Sequence, residues 1–364
     1  MNILLLASHA VAEYDDVRMF HDLGYGIFAP GGYEDPRSTG EGIRPPLPDV
    51  PFHADLAALC RVQREKGGDP GPWIDWAKAN VHPEVIEWAD VIIAHHFVDR
   101  WLIPQWKAFR GKRVIWRTCG QSNPELERRM APLRDKGMEI VRYSPAEARY
   151  FGEVGSFAGE DALIRFGKYP SDYGPWDGTE PVVGNITQHM QQRGDACGYG
   201  FWEAATEGLP VAPAGPGSDV LRGGLGSLDY EAMLDYLRHL RVYLYTGTRP
   251  ASYTLGLIEA MMSGVPVVSI DARAWGESWG GTDLFEAHEF ASRWAPTLGA
   301  TRMALRDMLD FNTSAQNASR DIRDMAIAYF GIERIGKRWD DFLAGRSLEP
   351  EMPVSHFPSQ RVAR

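Results

Sequence analysis

Short apolar segments alternate with longer amphipathic stretches along most of this chain, and this alternation constrains the fold more than any other feature. In the first half the segments are NILLLA, YGIFA, DVIIA, RVIWR and EIVRY, at 2–7, 25–29, 90–94, 113–117 and 139–143. In the second half they fall at 181–184, 209–213, 241–245 and 266–270. Buried strands separated by helical stretches are typical of βαβ units, whose strands are parallel. The pattern predicts an α/β fold of two Rossmann-like, doubly wound parallel-sheet lobes that face a cleft.

The length of 364 residues fits two domains at about 150 residues each. A change of composition at 167–181 (GKYPSDYGPWDGTEP) introduces Gly, Pro and Asp, which is typical of a linker. We therefore expect a first lobe over 1–170 and a second over 171–335. Residues 336–364 are expected to form a helix and tail that pack back on the first lobe. Within the second lobe, Ser227 is predicted to cap a helix over 228–240.

Composition narrows the class of protein and its compartment. Three cysteines without a CxxC spacing fit a reducing compartment, and the opening residues lack the basic start of a signal peptide. No stretch approaches the ~18 apolar residues of a membrane span. These features predict a cytoplasmic protein. The net charge of −11 disfavours non-specific nucleic-acid binding.

One segment is basic although the chain as a whole is acidic. Residues 101–142 carry ten basic and four acidic side chains, a local excess of six positive charges. One interpretation is a set of solvated helix faces. The other is a surface for an anionic acceptor, or for a peripheral membrane or nucleic-acid contact. Aromatic and basic residues interleave at 100–110, as they do in interfacial helices, although a core-packed helix has the same pattern.

The segment 241–271 (RVYLYTGTRPASYTLGLIEAMMSGVPVVSID) carries the strongest functional signal. A strand, a Gly/Pro loop and a short helix from about Leu255 to Ser263 follow one another, and Gly264 suits the left-handed position after the helix. The start of such a helix presents backbone N–H groups and a positive dipole end, which together suit a diphosphate. The predicted contacts are Tyr253, Thr254, Leu255 and Gly256. Glu259 lies about one turn into the helix, where a carboxylate can accept hydrogen bonds from ribose hydroxyls.

The sequence TLGLIEAMMSGVPVV at 254–268 resembles the donor-binding motif of family-four-like retaining GT-B glycosyltransferases. Glu259 matches the second glutamate of the family's Glu–x7–Glu pair, which holds the nucleotide ribose, whereas Ala251 occupies the position of the first. VVGNITQHMQQRG at 182–194 is similar to the opening of the family's second lobe, and Arg193 matches its diphosphate-binding basic residue. Residues 322–343 resemble its closing helices. The resemblance implies a donor lobe at 171–335, an acceptor lobe at 1–170 and a nucleotide-sugar donor, with a UDP-sugar expected and no further cofactor.

Polar residues that follow the predicted strands of the first lobe are candidates for the acceptor site. His9 follows the first strand, and His95 and His96 follow the strand at 90–94. A histidine there can position or deprotonate an acceptor hydroxyl, although each could also be a core residue. Arg117 and Gln121 follow the strand at 113–117 and are expected on the acceptor side. All should point toward one edge if the sheet is parallel.

The sequence also bears on metals and on competing functions. Asp-x-Asp, HxxxH and HExxH spacings are absent, which disfavours a metal site and leaves Arg193 and the helix start to stabilise the leaving diphosphate. The first lobe departs from the family's pattern, so an inverting reaction with His9 as base stays open beside the retaining one. The acceptor is a glycan, a lipid-linked hydroxyl or a hydroxymethylated nucleic-acid base. Two further alternatives are another GT-B enzyme, such as an epimerase or phosphorylase, and a non-catalytic nucleotide-sugar-binding protein.

Overall fold

The chain forms two compact units in a computed structural model. The structure describes residues 1–7, 9–31, 33–37, 44–67, 80–120, 122–270, 294–295 and 297–351. The N-terminal unit comprises residues 1–167 together with 335–348, and the C-terminal unit comprises residues 168–334 together with 349–351. The closing part of the chain is therefore shared between the two units.

A parallel sheet of six strands forms the centre of the N-terminal unit. Its strands are β1 (Asn2–Leu6), β2 (Gly26–Phe28), β3 (Val91–Ala94), β4 (Arg113–Arg117), β5 (Glu139–Arg142) and β6 (Ala162–Leu163). Their order is β2-β1-β3-β4-β5-β6, and each neighbouring pair is parallel. The helices that precede or follow them are α1 (Ala10–Asp22), α2 (Ala54–Gly67), α3 (Pro83–Trp88), α4 (Val98–Gln105), α5 (Pro124–Arg134) and α6 (Pro145–Glu153).

The C-terminal unit has a second parallel sheet, of five strands. Its strands are β7 (Glu180–Ile186), β8 (Val211–Ala214), β9 (Leu240–Tyr245), β10 (Val267–Ile270) and β11 (Trp294–Ala295), in the order β11-β10-β9-β7-β8. The helices are α7 (Met190–Arg193), α8 (Tyr199–Thr206), α9 (Tyr230–His239), α10 (Leu255–Ser263), α11 (Leu298–Asp310), α12 (Asn312–Phe330) and α13 (Ile332–Leu343). From Ile335 onward α13 belongs to the N-terminal unit.

The strand orders place one switch point in each sheet. In the N-terminal unit the chain runs from β1 to β2 on one side and then to β3 on the other side of β1. In the C-terminal unit it runs from β7 to β8 and then to β9 on the opposite side of β7. Open α/β sheets bind ligands at the carboxyl ends of the strands where the order reverses. The ends of β1 and β3, and of β7 and β9, are therefore where ligand sites are expected.

The predicted α/β fold with two parallel sheets is confirmed. The nine predicted strands appear within one or two residues of their expected positions, and α10 spans the predicted residues. β6 and β11, each two residues long, were not predicted, because two residues carry no periodic signal. The expected cap at Ser227 is wrong: Asp229 is the cap, and its Oδ1 accepts a hydrogen bond from the Ala232 N–H at 2.9 Å.

Large apolar side chains fill the space between sheet and helices in each unit. In the N-terminal unit, Trp101 of α4 and Trp116 of β4 are buried in one cluster with the strand residues of β1 and β3. Trp339 of α13 is fully buried, and its ring meets Phe20 of α1 at 5.3 Å in an edge-to-face contact. In the C-terminal unit, Trp202 of α8 packs in a cluster with β7, β9 and α11. These aromatic residues give each unit its own core.

A fully buried polar network lies at the carboxyl ends of β4 and β5. Arg142 donates two parallel hydrogen bonds to Glu127, at 2.6 and 2.7 Å. Glu147 of α6 lies 3.7 Å from the same guanidinium and accepts a hydrogen bond from the Thr118 hydroxyl at 2.5 Å. Burial, opposed by Arg142, raises the pKa of Glu147 to about 7.

The Glu147→Gln variant should change how stability depends on pH. The pKa of the Glu147 carboxyl is higher in the folded protein than in the unfolded chain, so the folded protein binds the carboxyl proton more tightly. The stability that this proton contributes is lost as pH rises from about 4.5 to 7. Between pH 5 and pH 8 the wild type should lose about 2–3 kcal/mol more unfolding free energy than Glu147→Gln. Urea unfolding at both pH values measures this. Glu153→Gln, an exposed change on the same helix, should follow the wild type; equal pH dependence in all three proteins would contradict the assignment.

Candidate functional site

The start of α10 forms the centre of the site in the C-terminal unit. Thr254 is the N-cap, and its hydroxyl accepts a hydrogen bond from the Leu257 N–H at 3.2 Å. The backbone N–H groups of Leu255 and Gly256, in the first turn, have no carbonyl partner within the helix. At the other end, Gly264 adopts the left-handed conformation with φ of 80°, as the sequence predicts.

The first turn of α10 lies directly against the end of β7. A Cβ atom added to Gly256 would lie 3.2 Å from the carbonyl oxygen of Ile186, the last residue of β7. A side chain at this position would require the helix start or the strand end to shift by a few tenths of an ångström. The positive end of the α10 dipole is therefore held at the carboxyl edge of β7 and β9, which is the switch point of this sheet.

Two loops meet at this edge and bring basic residues to it. The Arg249 N–H, in the loop before α10, donates to the Ala196 carbonyl at 2.7 Å, in the segment that follows β7. Arg193 lies in that segment, is exposed, and donates to the Gln188 carbonyl at 3.4 Å. Arg249 is half-buried and was not predicted. The Gly/Pro loop around it is recognisable in the sequence, and a basic residue shortly before a helix start is the signal that could have identified Arg249.

Glu259 is the fifth residue of α10 and is only 5% exposed. Its Oε1 atom lies 2.8 Å from the Nζ atom of Lys168, and both side chains are almost entirely buried. Tyr243 of β9 also lies near this carboxylate; burial raises the pKa of its hydroxyl, which accepts a hydrogen bond from the Ile186 N–H at 3.2 Å. Lys168 was not predicted, because it falls within the stretch interpreted as a linker and no local pattern connects it to Glu259.

The other residues predicted to contact the donor lie either at the helix start or in the core. Thr254, Leu255 and Gly256 are half-buried at the helix start. Tyr253 is buried, and its ring packs against Phe330 at 5.4 Å, so its side chain is a core residue. Ala251, at the position of the family's first glutamate, closes a tight turn in which its N–H donates to the Thr248 carbonyl at 2.7 Å.

The structure brings the three predicted histidines together at the switch point of the N-terminal sheet. His9 caps α1, and its Nδ1 accepts a hydrogen bond from the Ala12 N–H at 3.4 Å. The His9 and His96 rings meet edge-to-face with centroids 5.3 Å apart. Burial, followed by the neighbouring His9, lowers the pKa of His96 to about 3, so His96 is neutral near pH 7. A group with so low a pKa is a weak general base.

His95 and Arg117 are buried with an aspartate rather than presented to a ligand. Asp16 of α1 pairs with the Arg117 guanidinium, and its Oδ2 lies 3.2 Å from His95 Nε2. Burial, followed by the charge of Arg117, lowers the pKa of His95 well below its usual value. Arg117 also packs over the rings of Phe166 and Trp339. The expectation of an acceptor-side Arg117 is therefore not met: an arginine with 0% exposure is placed to neutralise Asp16.

A cavity of about 290 Å³ adjoins His96 at the carboxyl ends of β3 and β4. It is lined by residues of the α4 and α5 starts, among them Phe97, Arg100 and Arg129. His96 and Phe97 are in the left-handed region, with φ of 32° and 45°, at a cost of about 1–3 kcal/mol each. Strain of this kind clusters at ligand sites. Gln121, predicted on this side, lies outside the described residues.

The basic segment 101–142 does not form one surface. Arg117 and Arg142 are buried, and Arg134 pairs with Asp161. Arg113 bonds Glu139 and two carbonyls of α13. Because Arg113 begins β4, the basic residues beside it lie at the amino edge of the sheet, opposite the switch-point edge. Arg129, in contrast, lines the cavity beside His96, so the segment does not present a single surface for an anionic acceptor.

Three of the remaining basic residues of this segment line a groove at the amino edge. Lys107, Arg110 and Lys112 line a cavity of about 600 Å³, with Glu87 at its rim. Lys112 donates to the Glu87 carbonyl at 3.0 Å. Within the described residues, Lys107 and Arg110 form no ion pair. Among the helices that the structure describes, none is long and apolar enough to cross a bilayer.

Solved structures with the same architecture identify the fold. Neither protein-family models nor curated protein sequences give a match to this chain. Sucrose-phosphate synthase from Thermosynechococcus elongatus superposes with a TM-score of 0.64 at 13% identity, over 95% of this chain and 98% of that one. HepE from Anabaena, in complex with UDP and glucose, gives 0.64 at 14% identity, over 95% and 100%. A glycosyltransferase from Rickettsia africae gives 0.61 at 10% identity, over 94% and 98%.

These similarities extend over nearly the whole length of this chain and of each solved structure. At these sequence identities they support the fold alone. Two units, each with a parallel Rossmann-like sheet, are what the three structures share with this chain. The chain therefore has the GT-B glycosyltransferase fold.

Proposed function

We propose that this protein is a glycosyltransferase that moves a sugar from a nucleotide sugar, most readily a UDP-sugar, to an acceptor hydroxyl. The observation that carries the proposal is the start of α10 held against β7, with the carboxylate of Glu259 one turn behind it. The helix start suits a diphosphate, and a carboxylate one turn away can accept hydrogen bonds from the ribose hydroxyls. HepE, which shares the fold, has been solved with UDP and with UDP-glucose, and this supports the choice of donor.

The donor is proposed to bind with its diphosphate at the α10 start. The N–H groups of Leu255 and Gly256 and the helix dipole favour the negative charge. Arg193 and Arg249, which lie in the two joined loops, supply positive charge beside it. Glu259 accepts hydrogen bonds from the ribose hydroxyls. Every group in this arrangement belongs to the C-terminal unit.

The transfer is proposed to need neither a divalent metal nor another cofactor. As the bond between sugar and diphosphate breaks, negative charge grows on the leaving phosphate, and the helix start and arginines are preorganised for it. We propose retention of the anomeric configuration. The alternative is an inverting reaction with His9 as base, and His9 Nδ1 already accepts a hydrogen bond from the Ala12 N–H at 3.4 Å. The lowered pKa values of the buried His95 and His96 make those two histidines weak general bases.

The acceptor is proposed to bind at the N-terminal switch point, beside His9 and His96. The cavity there holds a neutral imidazole and an exposed aromatic ring, Phe97, which suits a sugar ring. A glycan hydroxyl is the first choice of acceptor. A lipid-linked hydroxyl and a hydroxymethylated nucleic-acid base are the alternatives. A nucleotide-sugar-binding protein without activity is the competing function, motivated by Ala251, and it differs from an enzyme in leaving the donor intact.

The Glu259→Gln variant tests the donor site. Replacing the carboxylate removes charge-assisted hydrogen bonds to the ribose, each worth about 1.5–3 kcal/mol. Affinity for UDP, measured by calorimetry, should fall by about tenfold or more. Glu203→Gln, an exposed change on α8 in the same unit, should bind UDP as the wild type does. Unchanged affinity in Glu259→Gln would remove Glu259 from the site.

The groove of Lys107, Arg110 and Lys112 is proposed as a peripheral contact with an anionic membrane surface. Two unpaired cations in a groove focus positive potential on a protein whose net charge is −11. Such a contact would bring a lipid-linked acceptor to the enzyme without itself binding the reacting hydroxyl.

Replacing all three groove residues with serine should weaken binding to vesicles that contain phosphatidylserine by about 100-fold, at about 1 kcal/mol per basic residue. Co-sedimentation at low salt measures this. A control with the same charge loss at three exposed sites elsewhere, Arg128, Lys136 and Arg306, should keep most of the binding. Equal loss in both triple variants would show that only net charge matters, and no binding by the wild type would end the membrane proposal.

A further inference from the structure

The pair formed by Lys168 and Glu259 is buried at the proposed donor site. The side chains are 1% and 7% exposed, and the Nζ to Oε1 distance is 2.8 Å. A buried charge without a partner is costly, so each of these two groups requires the other. Through this pair, a lysine outside the donor motif contacts a residue inside the motif.

The backbone of Lys168 is fixed on both sides. Its N–H donates to the Phe330 carbonyl at 2.7 Å, and its own carbonyl accepts from the Ile332 N–H at 2.9 Å. Lys168 and Gly331 therefore form a parallel bridge between the start of the C-terminal unit and the end of α12. Because the backbone of Lys168 is held in this way, its ammonium group is kept beside Glu259.

We propose that Lys168 is a positioning residue for the nucleotide, which keeps Glu259 ionised and aims its carboxylate at the ribose. This inference rests on the proposed function and adds a residue to its donor site. A carboxylate has about four lone-pair positions on its two oxygens, so it can accept several hydrogen bonds at once. The bond from Lys168 to Oε1 restricts the orientation of the carboxylate.

The charge of Lys168 bears on the charge state of Glu259. The ammonium group, 2.8 Å from the carboxylate, favours its ionised form, and Tyr243 lies near the same carboxylate. Without the ammonium group, burial would favour the neutral carboxyl and raise the pKa of Glu259. A neutral carboxyl accepts weaker hydrogen bonds from the ribose hydroxyls than a carboxylate does.

The test compares UDP affinities at several pH values. Wild type, Lys168→Met, Lys168→Arg, Glu259→Gln and the double variant Lys168→Met/Glu259→Gln are titrated with UDP by calorimetry between pH 6.5 and pH 8.5. Each affinity is divided by that of the wild type at the same pH, which cancels the titration of UDP itself. Lys337→Met, which breaks the pair of an exposed lysine with Asp341 in the N-terminal unit, is the control.

Lys168→Met should bind UDP more weakly than the wild type, and the deficit should grow as pH falls and Glu259 takes up a proton, toward the deficit of about tenfold or more expected of Glu259→Gln. Lys168→Arg should keep most of the affinity, and the ratio of its affinity to that of the wild type should not change with pH. The double variant should match Glu259→Gln at every pH, because Lys168 acts through Glu259. Lys337→Met should match the wild type.

Three results would overturn the inference. They are wild-type affinity in Lys168→Met, a deficit in Lys168→Met that does not vary with pH, and a double variant that binds clearly more weakly than Glu259→Gln. If Lys168→Met does not fold, the double variant carries the test, since it leaves no unpaired buried charge. Failure of the wild type to bind UDP would instead refute the proposed donor and the inference with it, whereas a Glu259→Gln effect without a Lys168 effect would refute the inference alone.

Discussion

The close approach of α10 to β7 is the constraint on which the proposed donor site depends. Gly256 favours it, because a Cβ atom at that position would lie 3.2 Å from the Ile186 carbonyl oxygen, which is a tight contact. The approach places unpaired first-turn N–H groups at the switch point of the sheet, where strand order opens a crevice. It also sets how far Glu259 lies from those groups, since both are fixed on one short helix.

Buried ion pairs form a second theme, and they explain why the basic segment of the sequence is not a basic surface. Arg142 forms an ion pair with Glu127, and Arg117 forms one with Asp16. In each case a charged residue at the end of a strand is neutralised inside its own unit. The same arrangement occurs at Lys168 and Glu259, but there the pair lies at the edge where a ligand is proposed to bind. Lys107, Arg110 and Lys112, in contrast, line one groove at the amino edge of the N-terminal sheet.

Much of the fold could be predicted from the sequence, because apolar strand segments and the α10 region carry local signals. The strand of β3 and the helix α10 depend on patterns within about a dozen residues, and both were placed correctly. The partners of charged residues could not be predicted in the same way. Lys168 lies 91 residues from Glu259, and Asp16 lies 101 residues from Arg117, so no local spacing connects them. The end of a strand indicates where a side chain lies, but whether it points to a ligand or to a buried partner depends on packing between distant segments.

The most direct test of the account is to follow a UDP-sugar donor by NMR with the protein, an excess of EDTA and a set of glycan acceptors. The account predicts that a donor is consumed without metal, that UDP is released, and that the new glycosidic bond keeps the anomeric configuration of the donor. Slow hydrolysis in the absence of an acceptor, with the same configuration, would agree with this result. An intact donor under all conditions, or consumption that occurs only when manganese is supplied, would contradict it.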